Sequence, residues 1–213
     1  SFNNFLTNNI KLNSNSRILD IGCGRGKILG NLSSKLRLKN MPIGIDIAYH
    51  KDKDKRVRFK KINALKFLFK NKNKFDLILI KQMIHLLSLK EINRLIISSK
   101  KNLSKNGKIL IFTLDPDKNE LPTFKLMKKK LTSSLNRDKM ILKLIKKLYP
   151  YKKSKFIYKV NIIKTKYLEM LKKRYISTLL PLTEHQIQAG IIEINNKYET
   201  NIKFNDKLIC IIL

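Results

Sequence analysis

Three glycines at alternate positions, Gly22, Gly24 and Gly26, follow directly on a short apolar run, and no other feature narrows the possible folds of this chain as much. Ile18, Leu19 and Ile21 make up the run, of the kind a buried central strand carries. Asp20 interrupts it near its end, where a carboxylate has little structural reason to be. Beyond the glycines and the intervening Cys23, Lys27-Ile-Leu-Gly-Asn-Leu32 has the pattern of a helix start. Strand, glycine turn and helix in that order form a nucleotide-binding arrangement. Without side chains in the way, a ligand can approach the backbone of the turn and the amides of the helix N-terminus.

Downstream, strand and helix patterns alternate. Residues 2–10 predict a short N-terminal helix, with Phe2, Phe5, Leu6 and Ile10 on one side. Residues 42–47 predict a second strand that ends at Asp46, twenty residues beyond Gly26, with Ile47 next. Residues 50–56 read as a solvated charge run, and residues 57–62 as a strand that delivers Asn63 and Ala64 to its end. Phe75-Asp-Leu-Ile-Leu-Ile80 is the other central-strand candidate, followed by Lys81, Gln82 and, shortly after, His85. Ser88 and Glu91 have the spacing of a capping box, with Ile92, Leu95 and Ile96 as the helical face behind it. Asn106-Gly107 closes that unit before a strand over residues 108–113.

The period then lengthens. Residues 121–149 carry two apolar stripes, which predict an amphipathic helix pair ended by Pro150. A strand over residues 155–163, a helix from Tyr167, a second capping box at Thr183 and Gln186 with its helix, and a last strand from Ile202 complete the chain. There is neither an internal repeat nor a linker, so a single α/β domain over residues 1–213 is expected.

The dinucleotide fingerprint has the form GxGxxG, whereas this loop reads GxGxG after Leu-Asp-Ile. That form resembles motif I of the class I methyltransferases that use S-adenosylmethionine, and the resemblance continues along most of the chain. Asp46 resembles the acidic residue after the second strand, and Asn63-Ala64 the adenine-side pair. Residues 75–87 resemble motif IV, and residues 103–112 the segment leading through the fifth strand. The style is nearest the small-molecule group that includes ubiquinone- and trans-aconitate-type enzymes.

The resemblance implies a Rossmann-like class I methyltransferase fold, a seven-stranded, mostly parallel sheet with helices on both faces. It also implies a helical cover at residues 1–10 and a helical insertion over the active site at residues 114–150. The implied cofactor is S-adenosyl-L-methionine, with Asp20, Gly22, Cys23, Gly24, Gly26, Asp46, Ile47, Asn63, Ala64, Lys81 and Gln82 around it. Asp20 would face the methionyl ammonium and Asp46 the ribose hydroxyls; the plainer reading of Asp46 is a cap on the next segment. Two departures stand out, both of them compatible with a cofactor site. Asn63 replaces the usual aspartate, and one glycine remains of the usual Pro-Gly-Gly before the fifth strand.

His85 is the candidate catalytic proton acceptor or substrate hydrogen-bonding group, against a histidine packed at a helix start. Arg174, beside Tyr175 and Ser177, is a candidate for binding an anionic substrate group, against a plain surface arginine. Cys23 precedes a helix N-terminus, where a thiolate can be favoured, but the preferred reading is a small residue filling a crowded loop.

Composition bears on the acceptor. The formal charge of +32 points at face value to nucleic acid or an anionic membrane surface. Only 8 of the 47 basic residues are arginine, the residue suited to bidentate phosphate recognition. Lysine, asparagine and isoleucine are abundant together, and all three have A/T-rich codons, so genome composition accounts for much of the charge. After the fourth strand the chain reads Lys81-Gln82-Met83-Ile84, unlike the Asp/Asn-Pro-Pro-aromatic motif of amino-base methylation. The Pro-Cys nucleophile of cytosine methylation is absent, and the Lys-Asp-Lys-Glu set of ribose methylation lacks its aspartate.

The expected acceptor is therefore a small molecule. An RNA methyltransferase is the alternative, and a non-catalytic cofactor-binding subunit a third. No apolar run reaches the roughly 18 residues of a membrane span. The two cysteines fit neither a disulfide framework nor a metal site, which suggests a cytoplasmic setting. The chain opens on Ser1-Phe-Asn-Asn without methionine, as a trimmed start would, and shows no charged-then-apolar leader.

Overall fold

A computed structural model describes residues 1–213. The first helix, α1 (Phe2–Asn9), turns its buried Leu6 inward. Strand β1 (Ile18–Ile21) is buried at every position and feeds α2 (Lys27–Leu36) through the glycine turn. Strands β2 (Ile43–Asp46) and β3 (Arg58–Lys61) follow, then α3 (Ala64–Lys70) and the apolar β4 (Phe75–Lys81). A 3-10 turn (Ile84–Leu86) leads to α4 (Leu89–Lys101), where the Ser88–Glu91 capping box forms with both reciprocal bonds. The remaining elements are β5 (Leu103–Leu114), α5 (Lys125–Leu148), β6 (Lys152–Ile163), α6 (Lys164–Lys172), α7 (Glu184–Lys197) and β7 (Asn201–Ile212).

The strands form one seven-stranded sheet in the order β3-β2-β1-β4-β5-β7-β6. β1 runs parallel to β2 and β4, β2 to β3, and β4 to β5. Ile109 and Leu213 exchange both backbone hydrogen bonds at 3.0 Å, so the last strand joins β5 antiparallel. From β1 the chain steps through α2 to β2 on one side, and from β4 through α4 to β5 on the other. Right-handed crossovers in opposite directions put α2 and α4 on opposite faces of the sheet. The strand order reverses between β1 and β4, and a crevice opens at the carboxyl ends of the strands at such a point.

By its contacts the chain divides into two compact units. The first comprises residues 1–113, 144–156 and 209–213, and its core is the run of fully buried aliphatic side chains on β1, β4 and β5. The second comprises residues 114–143 and 157–208. Its core gathers Phe124, Met127, Tyr167, Leu171, Ile187, Ile194 and Ile202, and the Tyr167 hydroxyl donates to the Pro122 carbonyl at 2.6 Å.

Several local readings change. Residues 121–149 contain one continuous 24-residue helix rather than a pair. Thr132 and Ser133 stay within the helix and donate their hydroxyls to the carbonyls of Lys128 and Lys129 one turn back. Asp138, only 2% exposed, sits where the two apolar stripes would otherwise join. The charge run at residues 50–56 is not wholly solvated. Asp54 is buried and fixed by Arg56, whose guanidinium donates to both carboxylate oxygens at 2.9 and 2.6 Å and also reaches Asn31 and Ser34 of α2. This cluster seats the irregular β2–β3 crossover on α2, and the guanidinium holds the Asp54 carboxyl down at about 2.

α3 was not expected, and β5 starts at Leu103 rather than at residue 108. Asn106-Gly107 lies within β5 at an irregular register, where a side chain at Gly107 would come within 2.5 Å of the Phe75 carbonyl.

Candidate active site

The glycine turn sits at the carboxyl end of β1, with Gly22, Gly24 and Gly26 at φ of 74°, 53° and 71°. All three lie in the left-handed region that side chains resist. Space gives Gly22 and Gly24 different roles. A side chain at Gly22 would meet Met83 at 2.8 Å, so that glycine lets the turn after β4 pack close. A side chain at Gly24 would meet nothing within 4 Å, so the turn borders open space on that side. Gly26 caps α2 with no side-chain hydrogen bond, which leaves the first-turn amides of that helix available to a ligand.

Asp46, at the end of β2, is locked in place by two amides. One carboxylate oxygen accepts from Gly24 N–H at 2.8 Å, the other from Ala48 N–H at 3.0 Å. Each oxygen keeps a lone pair, so the capping reading and the ligand-binding reading are compatible. Asn63 caps α3, its Oδ1 accepting from the amides of Leu65 and Lys66. With that oxygen occupied, its amide N–H donors are what it has left to offer a base.

These residues border a cavity of about 320 Å³ whose walls include Ile21, Gly22, Asp46, Ile47, Asn63, Ala64 and Gln82. Sequence reasoning missed Met83, Leu86 and Leu87, which close the same cavity from the 3-10 turn after β4. Their signal was present, since apolar residues directly after a central strand end at the strand's open edge. The volume falls in the range of about 300–1,000 Å³ usual for small-molecule sites.

Asp20 lies inside the sheet, opposite Gly44 of β2 and Leu79 of β4. Burial pushes its carboxyl up to about 7; the nearby Lys81 ammonium pulls it down and the Asp46 carboxylate pushes it further up. Lys81 donates to Gln82 Oε1 at 3.0 Å and stands 5.7 Å from the centre of the Phe2 ring. Gln82 has φ of 51°, a conformation its N–H bond to the Phe112 carbonyl helps to hold. Phe2 also packs on Phe112 and Phe156, with ring centres 4.8 and 5.1 Å away.

Cys23 packs its sulfur where a side chain on Gly44 would go. Burial, then the charges of Asp20 and Asp46, push its thiol up to about 12, so a thiolate is disfavoured and the space-filling reading holds. His85 sits half-buried in the 3-10 turn and is not among the residues bordering the cavity. Arg174 belongs to the second unit, where its guanidinium stands 3.6 Å from Glu184.

The residues fit S-adenosylmethionine. A bare backbone cradle lies beside two carboxylates, and the adjoining cavity has apolar walls and a carboxylate, Asp46, fixed by two amides. Fold and site together define the class I, S-adenosylmethionine-dependent methyltransferases. The chain belongs to the family described as "Methyltransferase domain", whose model matches residues 12–174.

Solved structures agree on the fold. A S-adenosylmethionine-dependent methyltransferase from Thiobacillus denitrificans, in complex with S-adenosyl-L-homocysteine, aligns at a TM-score of 0.59 and 15% identity, over 99% of this chain and 90% of that one. One from Archaeoglobus fulgidus aligns at 0.55 and 18% identity, over 99% and 91%. Precorrin 8w decarboxylase from Methanobacterium thermoautotrophicum aligns at 0.53 and 11% identity, over 99% and 88%. At such identities these likenesses speak to the fold alone. A search of curated protein sequences finds no match.

Proposed function

We propose that this methyltransferase acts on a small-molecule acceptor, with the cofactor seated over the glycine turn and the acceptor brought to the carboxyl end of β4. The observation that carries the reading is the chemistry of that strand end. Lys81 and Gln82 bond to one another, the Lys81 ammonium lies 5.7 Å from the centre of the Phe2 ring, and Phe2 packs on Phe112 and Phe156. The bound cofactor supplies an electrophilic methyl on its sulfonium, so the protein's task is mainly proximity and alignment.

The uncapped start of α2 receives the methionyl part by backbone amides, and the missing side chain at Gly24 leaves room for its approach. Asp20 faces its ammonium. Asp46 accepts from the ribose hydroxyls with the lone pairs that Gly24 and Ala48 leave free. Ile47, Leu86 and Leu87 flank the base, and Asn63 donates to it. His85 holds or accepts the acceptor's proton. Its test is His85→Asn, which should lower kcat by about 100-fold or more with KM little changed. Unchanged kcat in a folded variant would return His85 to a packing role.

The charge of +32 favours the RNA alternative, so turnover is the decisive comparison. Methyl transfer from labelled cofactor is followed into a small-metabolite extract and into total RNA at physiological salt. Label in a metabolite supports the proposal. Stoichiometric label at a defined RNA position, with none in metabolites, overturns it.

A further inference from the structure

At the amino ends of the strands, opposite the cofactor edge, a second cavity of about 180 Å³ is bordered by Arg17, Asn40, Met41, Arg58, Asn73 and Phe75. The register explains why it forms. Arg17 directly precedes β1, Arg58 opens β3 beside Ile43 of β2, and Phe75 opens β4, so four neighbouring strands begin around one hollow. The buried Phe75 borders it together with two arginines and two asparagines.

The two arginines distinguish this hollow from the lysine-covered surface elsewhere. Arg25, Arg56 and Arg174 form ion pairs with Asp52, Asp54 and Glu184; Arg17 and Arg58 form none, as is also true of Arg37 and Arg94, but only Arg17 and Arg58 border the same cavity. Asp76 follows Phe75 and is held by other donors. It accepts from the Arg17 main-chain N–H at 2.8 Å and from the Ser104 hydroxyl at 2.6 Å, and it makes no ion pair with the Arg17 side chain. Two like charges bordering one cavity repel, and an oxyanion bound between them would relieve both. Guanidinium forks suit phosphate oxygens in a way single ammonium groups do not, and asparagine amides add neutral donors. The space exceeds the share of several waters at about 30 Å³ each.

We propose that this hollow is a binding site for a phosphate group, separate from the methyl-transfer site and able to fill at the same time. Phosphate of a free ion, of a mononucleotide or of an RNA backbone would present the same oxygens.

The test is titration of inorganic phosphate, at constant ionic strength, into the isotopically labelled full chain, followed by amide NMR shifts. Saturable shifts at residues 17, 18, 41, 58 and 73 are expected, unaltered by saturating S-adenosyl-L-homocysteine. Arg17→Lys with Arg58→Lys keeps every charge but removes the forks, and should weaken binding by about tenfold. The single variants serve if the double one unfolds. Lys146→Gln with Lys147→Gln lowers the net charge at a distant helix end and should leave binding within about twofold. Parallel titrations with a 5′-mononucleotide and a short single-stranded RNA identify the phosphate source by which binds tightest. Shifts spread over the lysine surface without saturation, or an arginine-to-lysine variant that binds as well as the native chain, would overturn the proposal.

Discussion

Asp20 shows how one buried carboxylate ties stability to ligand binding. Its folded value of about 7 stands above the model-peptide 3.8, mainly because burial penalises the charged form. Below the unfolded value the group is protonated in both states and costs nothing. As pH rises from about 4 to 7 the unfolded chain ionises first, so the penalty on folding grows and is complete above about 7. A cofactor ammonium beside this carboxyl favours its charged form. Cofactor affinity should therefore rise between pH 5.5 and 7.5, with proton release on binding near pH 6.5. Calorimetry in two buffers of different ionisation enthalpy measures that release. Asp20→Asn should abolish both the release and the pH dependence; a variant that retains them would place the titrating group elsewhere.

Elements were legible where local chemistry alone decides them. The apolar β1 and β4, the glycine turn and the capping boxes at Ser88 and Thr183 form as their residues suggest. Elements decided by distant partners were not legible. The Asp54–Arg56 cluster depends on α2, and nothing in residues 50–56 announces that one of its charges is buried. The cavity-closing role of Met83 depends on the absence of a side chain at Gly22, sixty-one positions earlier. Gly190, inside α7, is a third case. Alanine there would gain about 1 kcal/mol of helix propensity. Its methyl group, however, would lie 2.5–2.6 Å from three carbons of the Phe124 ring, which is 2% exposed and closely packed. Overpacking of that kind costs about 1–3 kcal/mol. Gly190→Ala should thus lower the denaturant midpoint at unchanged slope, whereas a raised midpoint would mean that the ring yields freely.

Across the whole molecule, charge and chemistry separate. Thirty-nine lysines cover the surface, and a protein this basic binds polyanions weakly at low salt whatever its substrate. Such binding should fall steeply as salt rises, whereas affinity for a cofactor held by Asp46 and backbone amides should change little. No helix is long and apolar enough to cross a membrane. The proposed cofactor position lies at the carboxyl ends of β1, β2 and β4, with Asp46 at the ribose. Calorimetric titration of S-adenosyl-L-homocysteine into the native chain and into Asp46→Ala tests it directly. Saturable one-to-one binding is predicted, weakened in the variant by roughly 1.5–3 kcal/mol, the scale of lost charge-assisted hydrogen bonds. No binding to the folded native chain at millimolar ligand, or equal affinity in a folded Asp46→Ala variant, would contradict it.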